Sequence, residues 1–185
     1  MNVMLSKTFF PQHRKAGQPT GFREKVLNGG KRHTCRCNYE FWKKRIKQLQ
    51  KRKGVLSIRQ WSGKPYAEGS TQELVLDVPA SMVEVQRLVM TRSREKHEVF
   101  EEGHPETPYA TGTTYTYRAL VDGTPVDVVE LAKNDGLSLD DFMGWFNPVF
   151  DKQEKRIEIV KDGKVIEPEE TTLLFAVIQF STFRY

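Results

Sequence analysis

Cysteine is scarce: Cys35 and Cys37 are the only two in 185 residues. Separated by a single residue, they would close a strained ring, so no structural disulfide is expected. Free thiols point to a reducing compartment, and the expected location is the cytoplasm. Cys35, Cys37 and His33 offer metal ligands, but thiols on one strand face without a second pair make a poor tetrahedral set, and no metal is expected. No run approaches the roughly 18 consecutive apolar residues of a membrane span. Met1 to Lys7 lacks the apolar core of a secretion signal, and no membrane partner is expected. Internal repeats and low-complexity segments are absent too. At this length one well-packed domain buries roughly 70% of its unfolded surface, so residues 1–185 are expected to form a single domain.

Negative charge is the other shortage, and it is local. Residues 1–66 hold 17 lysines and arginines against only Glu24 and Glu40, a formal +15, whereas residues 67–185 hold 12 against 22, a formal −10. Part of this charge can pair inside the fold. The surplus predicts a basic face that favours a polyanion, with an association that weakens as salt rises.

What is present centres on residues 29–36. A short helix capped by Thr20 is predicted over Gly21 to Asn28, and the glycine pair Gly29-Gly30 stops it. If Thr34 to Cys37 is extended, Thr34 and Arg36 share one face and Cys35 and Cys37 the other. A second helix, Tyr39 to Arg52, carries a stripe of Phe41 or Trp42, Arg45 or Ile46, and Leu49, and exposes Lys43, Lys44, Lys47, Lys51 and Arg52. Almost no acid balances those cations at i+4, so they gain little from intrahelical pairs.

Further strands are expected over Val55 to Trp61, Glu73 to Val78, Met82 to Met90, Thr113 to Val121 and Leu173 to Phe183, with hairpin turns at Asp122-Gly123 and Asp162-Gly163. Residues 92–112 lose periodicity and read as a mobile insert. Helices are predicted over Val126 to Lys133 and Leu139 to Phe146, with Ser138 capping the second. The expected class is α+β, a mixed β-barrel with helices at its rim.

The spacing Gly29-x-Lys31-x-x-Thr34-x-Arg36 resembles the G-x-K-x-x-[TE]-x-R signature of the ASCH family, PUA-like β-barrel domains associated with RNA. The resemblance continues through Tyr39, Trp42, Ser57 to Tyr66, Asn134 to Ser138, Phe142 and Trp145-Phe146. It covers most of the chain apart from a central insert near 91–113. It implies a PUA-like barrel and a cleft that binds RNA or a nucleotide, and it implies no metal or organic cofactor.

Three chemistries fit such a cleft. For binding, Lys31, Arg32, Arg36, Arg59 and Lys64 would meet phosphates, and Tyr39, Trp61 or Tyr66 would stack an exposed base. For hydrolysis, the resemblance to small ASCH proteins that deacylate N4-acylated cytidines makes Lys31 the base, Thr34 the nucleophile and Asp135 the acid, in place of the family's Glu. For ribonuclease action, Lys31 and Arg36 would stabilise a pentavalent phosphate while Thr34 or His33 moves protons. Trp42 and Trp145 are expected in the core.

Overall fold

The structure is a computed structural model that describes residues 1–101, 104–157, 159–161, 164–166 and 168–185, with side chains described outside 100–109 and 158–167. A three-stranded sheet runs in the order β1 (Asn2–Leu5), β3 (Val55–Trp61), β4 (Gln72–Pro79). β1 lies parallel to β3, and β4 antiparallel to it. A five-stranded antiparallel sheet has the order β2 (His33–Cys37), β10 (Glu170–Gln179), β5 (Glu84–Glu101), β6 (His104–Val121), β7 (Thr124–Val126). Among the described residues four α-helices accompany them, α1 (Phe22–Leu27), α2 (Tyr39–Lys51), α3 (Val128–Asn134) and α4 (Leu139–Ile157), with one 3-10 turn at Ala80–Met82. The class is α+β, as the turn pattern predicts. No helix of the described residues is long and apolar enough to cross a membrane.

The sheets do not close into a barrel among the described residues. The physical reason is visible at β2, an edge strand. Its outward N–H at Cys35 donates to the Asp135 side chain at 3.1 Å, where a neighbouring strand would otherwise pair. The two sheets meet there through a side chain instead: Arg36 of β2 donates to the Met4 carbonyl of β1 at 2.5 Å. Their inner faces share one apolar core, with Val3, Leu5 and Ile58 from one sheet and Phe175 and Val177 from the other.

Residues 92–112, read from sequence as a mobile insert, correct that expectation. Apart from 102 and 103, they lie in the paired strands β5 and β6, with Lys96 opposite Thr113 and Glu98 opposite Thr111. Glu95 to Glu98 and Thr113 to Thr116 are all exposed, so this ribbon buries neither face there and shows no apolar alternation to read. Arg92, fully buried, ties its base to α4 by donating to Glu154 at 3.0 Å and Asp151 at 2.7 Å.

The Asp122-Gly123 turn forms as predicted, both residues left-handed at φ 50° and 90°, with Val121 opposite Thr124. The strands flanking Asp162-Gly163 pair as β8 (Ile159–Lys161) with β9 (Lys164–Ile166), and the turn itself lies outside the described residues. The last helix was expected to stop at Phe146, before Asn147-Pro148. It continues through Pro148 to Ile157 because Phe142, Phe146 and Phe150 recur every four residues and all bury, with Phe146 and Phe150 against Phe175. The predicted Thr20 cap is met only in part: the Thr20 hydroxyl accepts from the N–H of Phe22, the first residue of α1, at 3.3 Å. Gly21 takes the N-cap position, while the Thr20 hydroxyl donates to the Ser6 carbonyl at 2.7 Å.

Candidate functional site

The glycine pair does stop α1, with Gly29 left-handed at φ 77°. Lys31 then turns inward, not into a cleft. Its side chain is 1% exposed, and its Nζ donates to the Asp135 carboxylate at 2.8 Å and the Asp135 carbonyl at 2.6 Å. Asp135 follows α3 in the turn Asn134-Asp135-Gly136. Gly136 there is left-handed at φ 80°, and a Cβ on it would lie 3.1 Å from the Lys31 stem. The same carboxylate oxygen stands 3.6 Å from His33 Nδ1, and His33 Nε2 meets the Tyr185 hydroxyl at 2.7 Å. Burial pulls the Lys31 ammonium below its ordinary pKa, with Asp135 opposing. Burial would raise Asp135, but Lys31 and His33 outweigh it and hold the carboxyl down. Burial also holds His33 below its ordinary value, so the ring is neutral at pH 7.

Thr34 and Arg36 do share a side of β2. Together with Asp135, Leu5 and Ser6 they line a recess of about 20 Å³, room for one water molecule. Thr34, though buried, hydrogen-bonds through its side chain to neither Lys31 nor Asp135. The recess adjoins a cleft of about 640 Å³ that it meets at Leu5, Ser6 and Arg36. That cleft is lined further by Met4, Lys7, Trp61, Lys64 and Tyr66. Trp61 and Tyr66 have ring centroids 5.0 Å apart, and Tyr66 is 89% exposed on a left-handed backbone, φ 62°. A non-glycine residue held there costs roughly 1–2 kcal/mol. Arg36 has no carboxylate partner among the described residues, its Nε has no hydrogen-bond partner, and burial lowers its pKa.

The structure thus gathers Arg36, Trp61, Lys64 and Tyr66 from the sequence-derived set, with Thr34 and Asp135 in the recess behind them and Lys31 paired to Asp135. It separates the others. Tyr39 is buried in the core as the first residue of α2 and presents no free face to a base. Arg32 is exposed in a different groove, its guanidinium 5.3 Å from the Phe183 ring centroid. Arg59 donates to the Gln72 carbonyl at 3.0 Å and stands on the Trp61 face of β3. Trp42 and Trp145 pack against the core as predicted. His33, fully buried, is withdrawn from the proton-carrying role a nuclease would give it. Sequence reasoning missed Lys7, which reaches the Ser62 carbonyl across the cleft, and Tyr185, whose place beside His33 no local pattern announces.

His33, Cys35 and Asp135 place possible metal-ligand atoms within 4.8 Å of one another. The Lys31 ammonium already sits on that carboxylate, and burial lifts the Cys35 thiol well above 9. A cation would have to displace the ammonium and take the thiol proton together, so the donor set fits a metal poorly.

Of the cations in residues 1–66, Arg14, Lys15, Arg23 and Lys31 pair with carboxylates, and the remainder find none among the described residues. No protein-family model, no curated protein and no solved structure matches this chain.

Proposed function

We propose that the cleft between β1, β2 and the Trp61 to Tyr66 segment binds RNA or a nucleotide, as a domain of ASCH, PUA-like type whose two main sheets form the walls of an open barrel in a cytoplasmic protein. One observation carries the reading: a desolvated guanidinium with no carboxylate in contact among the described residues, Arg36, lines a cleft together with a Trp61–Tyr66 aromatic pair and Lys64. A phosphate would meet the charges of Arg36 and Lys64, and an exposed base would stack on the rings. The strained, exposed Tyr66 supports the same use, since such a conformation serves presentation better than packing.

The test is titration of a fluorescent single-stranded RNA at low salt against wild type, Trp61→Ala and Lys64→Ala, with melting temperature monitored. Loss of stacking costs roughly 1–3 kcal/mol per base, so Trp61→Ala is expected to weaken binding by about 5- to 150-fold at nearly unchanged melting temperature. No measurable RNA binding, or equal affinity in all three proteins, would sink the reading.

A second reading, amide hydrolysis of an N4-acylated cytidine, draws on the Lys31–Asp135 contact and on Thr34 sharing the recess with Asp135. Lys31 would take the Thr34 proton as a neutral amine, which requires its ammonium first to pass a proton to the Asp135 carboxylate and turn towards Thr34. Incubation with N4-acetylcytidine decides it: acetate release no faster than from Thr34→Val ends this reading and leaves binding intact.

A further inference from the structure

The exposed face of α2 is a strongly basic surface that the cleft does not use. Asn38 starts this helix, its side chain accepting from the Phe41 N–H at 3.1 Å, and Ile46 and Leu49 bury the opposite stripe. What remains outward is a groove of about 470 Å³ lined by Phe41, Lys44, Arg45, Gln48 and Arg52, with Met1 and Leu49 at its base. Phe41 is 45% exposed, and the Arg45 guanidinium lies 5.3 Å from its ring centroid. None of Lys44, Arg45 and Arg52 has a carboxylate partner among the described residues. An exposed ring bordered by unpaired cations repeats, on a helix, the arrangement of Trp61, Tyr66, Arg36 and Lys64 in the cleft.

The two places are joined by one short strand. Met1, immediately before β1, lines the groove and Met4, within β1, lines the cleft, so the two places lie three residues apart along the chain, about 10 Å at a strand's rise. Arg59, in register with Met4, carries a further cation without a carboxylate partner on the adjacent strand. We infer that the α2 groove is a second nucleotide subsite, and that the ligand is one single strand of several nucleotides running from the cleft to α2, not a free nucleoside or nucleotide. This rests on the cleft reading above and adds the length and charge of its ligand. A neutral nucleoside would leave all of these cations unused. A phosphodiester strand neutralises them in sequence and stacks at both ends.

The experiment compares a 3-nucleotide and a 12-nucleotide oligouridine against wild type, Trp61→Ala, Phe41→Ala and the triple variant Lys44→Ser/Arg45→Ser/Arg52→Ser, across a salt series. All the helix substitutions fall on exposed positions, and melting curves check that each variant folds. The 12-mer is expected to bind wild type at least tenfold more tightly than the 3-mer. The triple variant should erase that gain and leave the 3-mer unaffected. It should also flatten the slope of log K against log salt by about 2, the value for three phosphate contacts on a single strand. Wild-type affinity of the triple variant for the 12-mer would overturn the second subsite, while a Trp61→Ala defect in the same data keeps the cleft reading standing. If instead Trp61→Ala is silent on both oligonucleotides, the cleft reading fails, and with it the shared strand. A triple variant that loses binding to vesicles containing phosphatidylserine, with the 12-mer unaffected, would make α2 a membrane-facing surface and overturn the inference.

Discussion

Lys31 and Arg45 come from the same basic third of the chain and meet opposite surroundings. Lys31 is sealed behind β2, with a carboxylate and a carbonyl on its ammonium. Arg45 is exposed over Phe41 with no carboxylate partner among the described residues. A cation taken out of water must be compensated, because its lost hydration is worth several kcal/mol. The fold therefore uses Asp135 at the first site, and that carboxylate also ends the sheet edge at Cys35. At the second, hydration suffices, and the charge stays available to a ligand. Arg36 falls between the two: it is desolvated like Lys31 and unpaired like Arg45. Its charge feels Asp135 through space without touching it.

The largest effect separates the two regions by stability. Asp135→Ala leaves the Lys31 charge buried alone and is expected to cost about 3–5 kcal/mol, a fall in melting temperature on the order of 10 °C. The α2 triple variant should change stability by no more than about 0.5 kcal/mol. Denaturant melts check both, and an Asp135→Ala protein as stable as wild type would break the contrast. The double variant Lys31→Met/Asp135→Leu sharpens it. Removing both charges takes away the desolvation cost as well as the attraction, so this protein should melt well above Asp135→Ala.

Protons give the smallest separation. The unfolded state protonates His33 near pH 6.5, whereas burial keeps the folded ring neutral to lower pH. Between those values the unfolded chain binds more protons, so stability is full above about pH 6.5 and declines as pH falls through it. Below about pH 4 a second loss begins. Burial would raise Asp141, but hydrogen bonds from Lys15, Ser138 and Arg14 outweigh it and hold its carboxyl at about 2. Stability from this carboxylate is thus present above its unfolded value near 3.9 and disappears as pH drops towards 2. Melting temperature followed from pH 7.5 to 5 in wild type and His33→Gln tests the first arm; equal pH slopes in the two proteins would remove His33 from it.

Local patterns made a good part of this legible. Alternation announced β3 and the inner half of β6, Asp122-Gly123 announced its hairpin, and the apolar stripe announced α2. The 92–112 strands were hidden because a ribbon exposed on both faces carries no alternation. The second half of α4 was hidden by Pro148, whose local penalty is overcome by aromatic packing on Phe175. Within the site, Arg36, Trp61, Lys64 and Tyr66 were named from sequence and lie together. Tyr39 was named with them and lies in the core, since helical phase, not residue type, chose which ring faced inward.

Residue order alone determined the charge asymmetry, the turn after α1, the class of the fold and the amphipathic helix that carries the basic face, because each follows from neighbours a few positions apart. Tertiary structure decided which cations were neutralised. Lys31 and Asp135 are far apart in the chain, and only the packing of the α3–α4 turn against β2 brings the carboxylate onto the ammonium. Desolvation depends on what surrounds a charge in space, and for that reason no local pattern could tell the sealed lysine from the open ones.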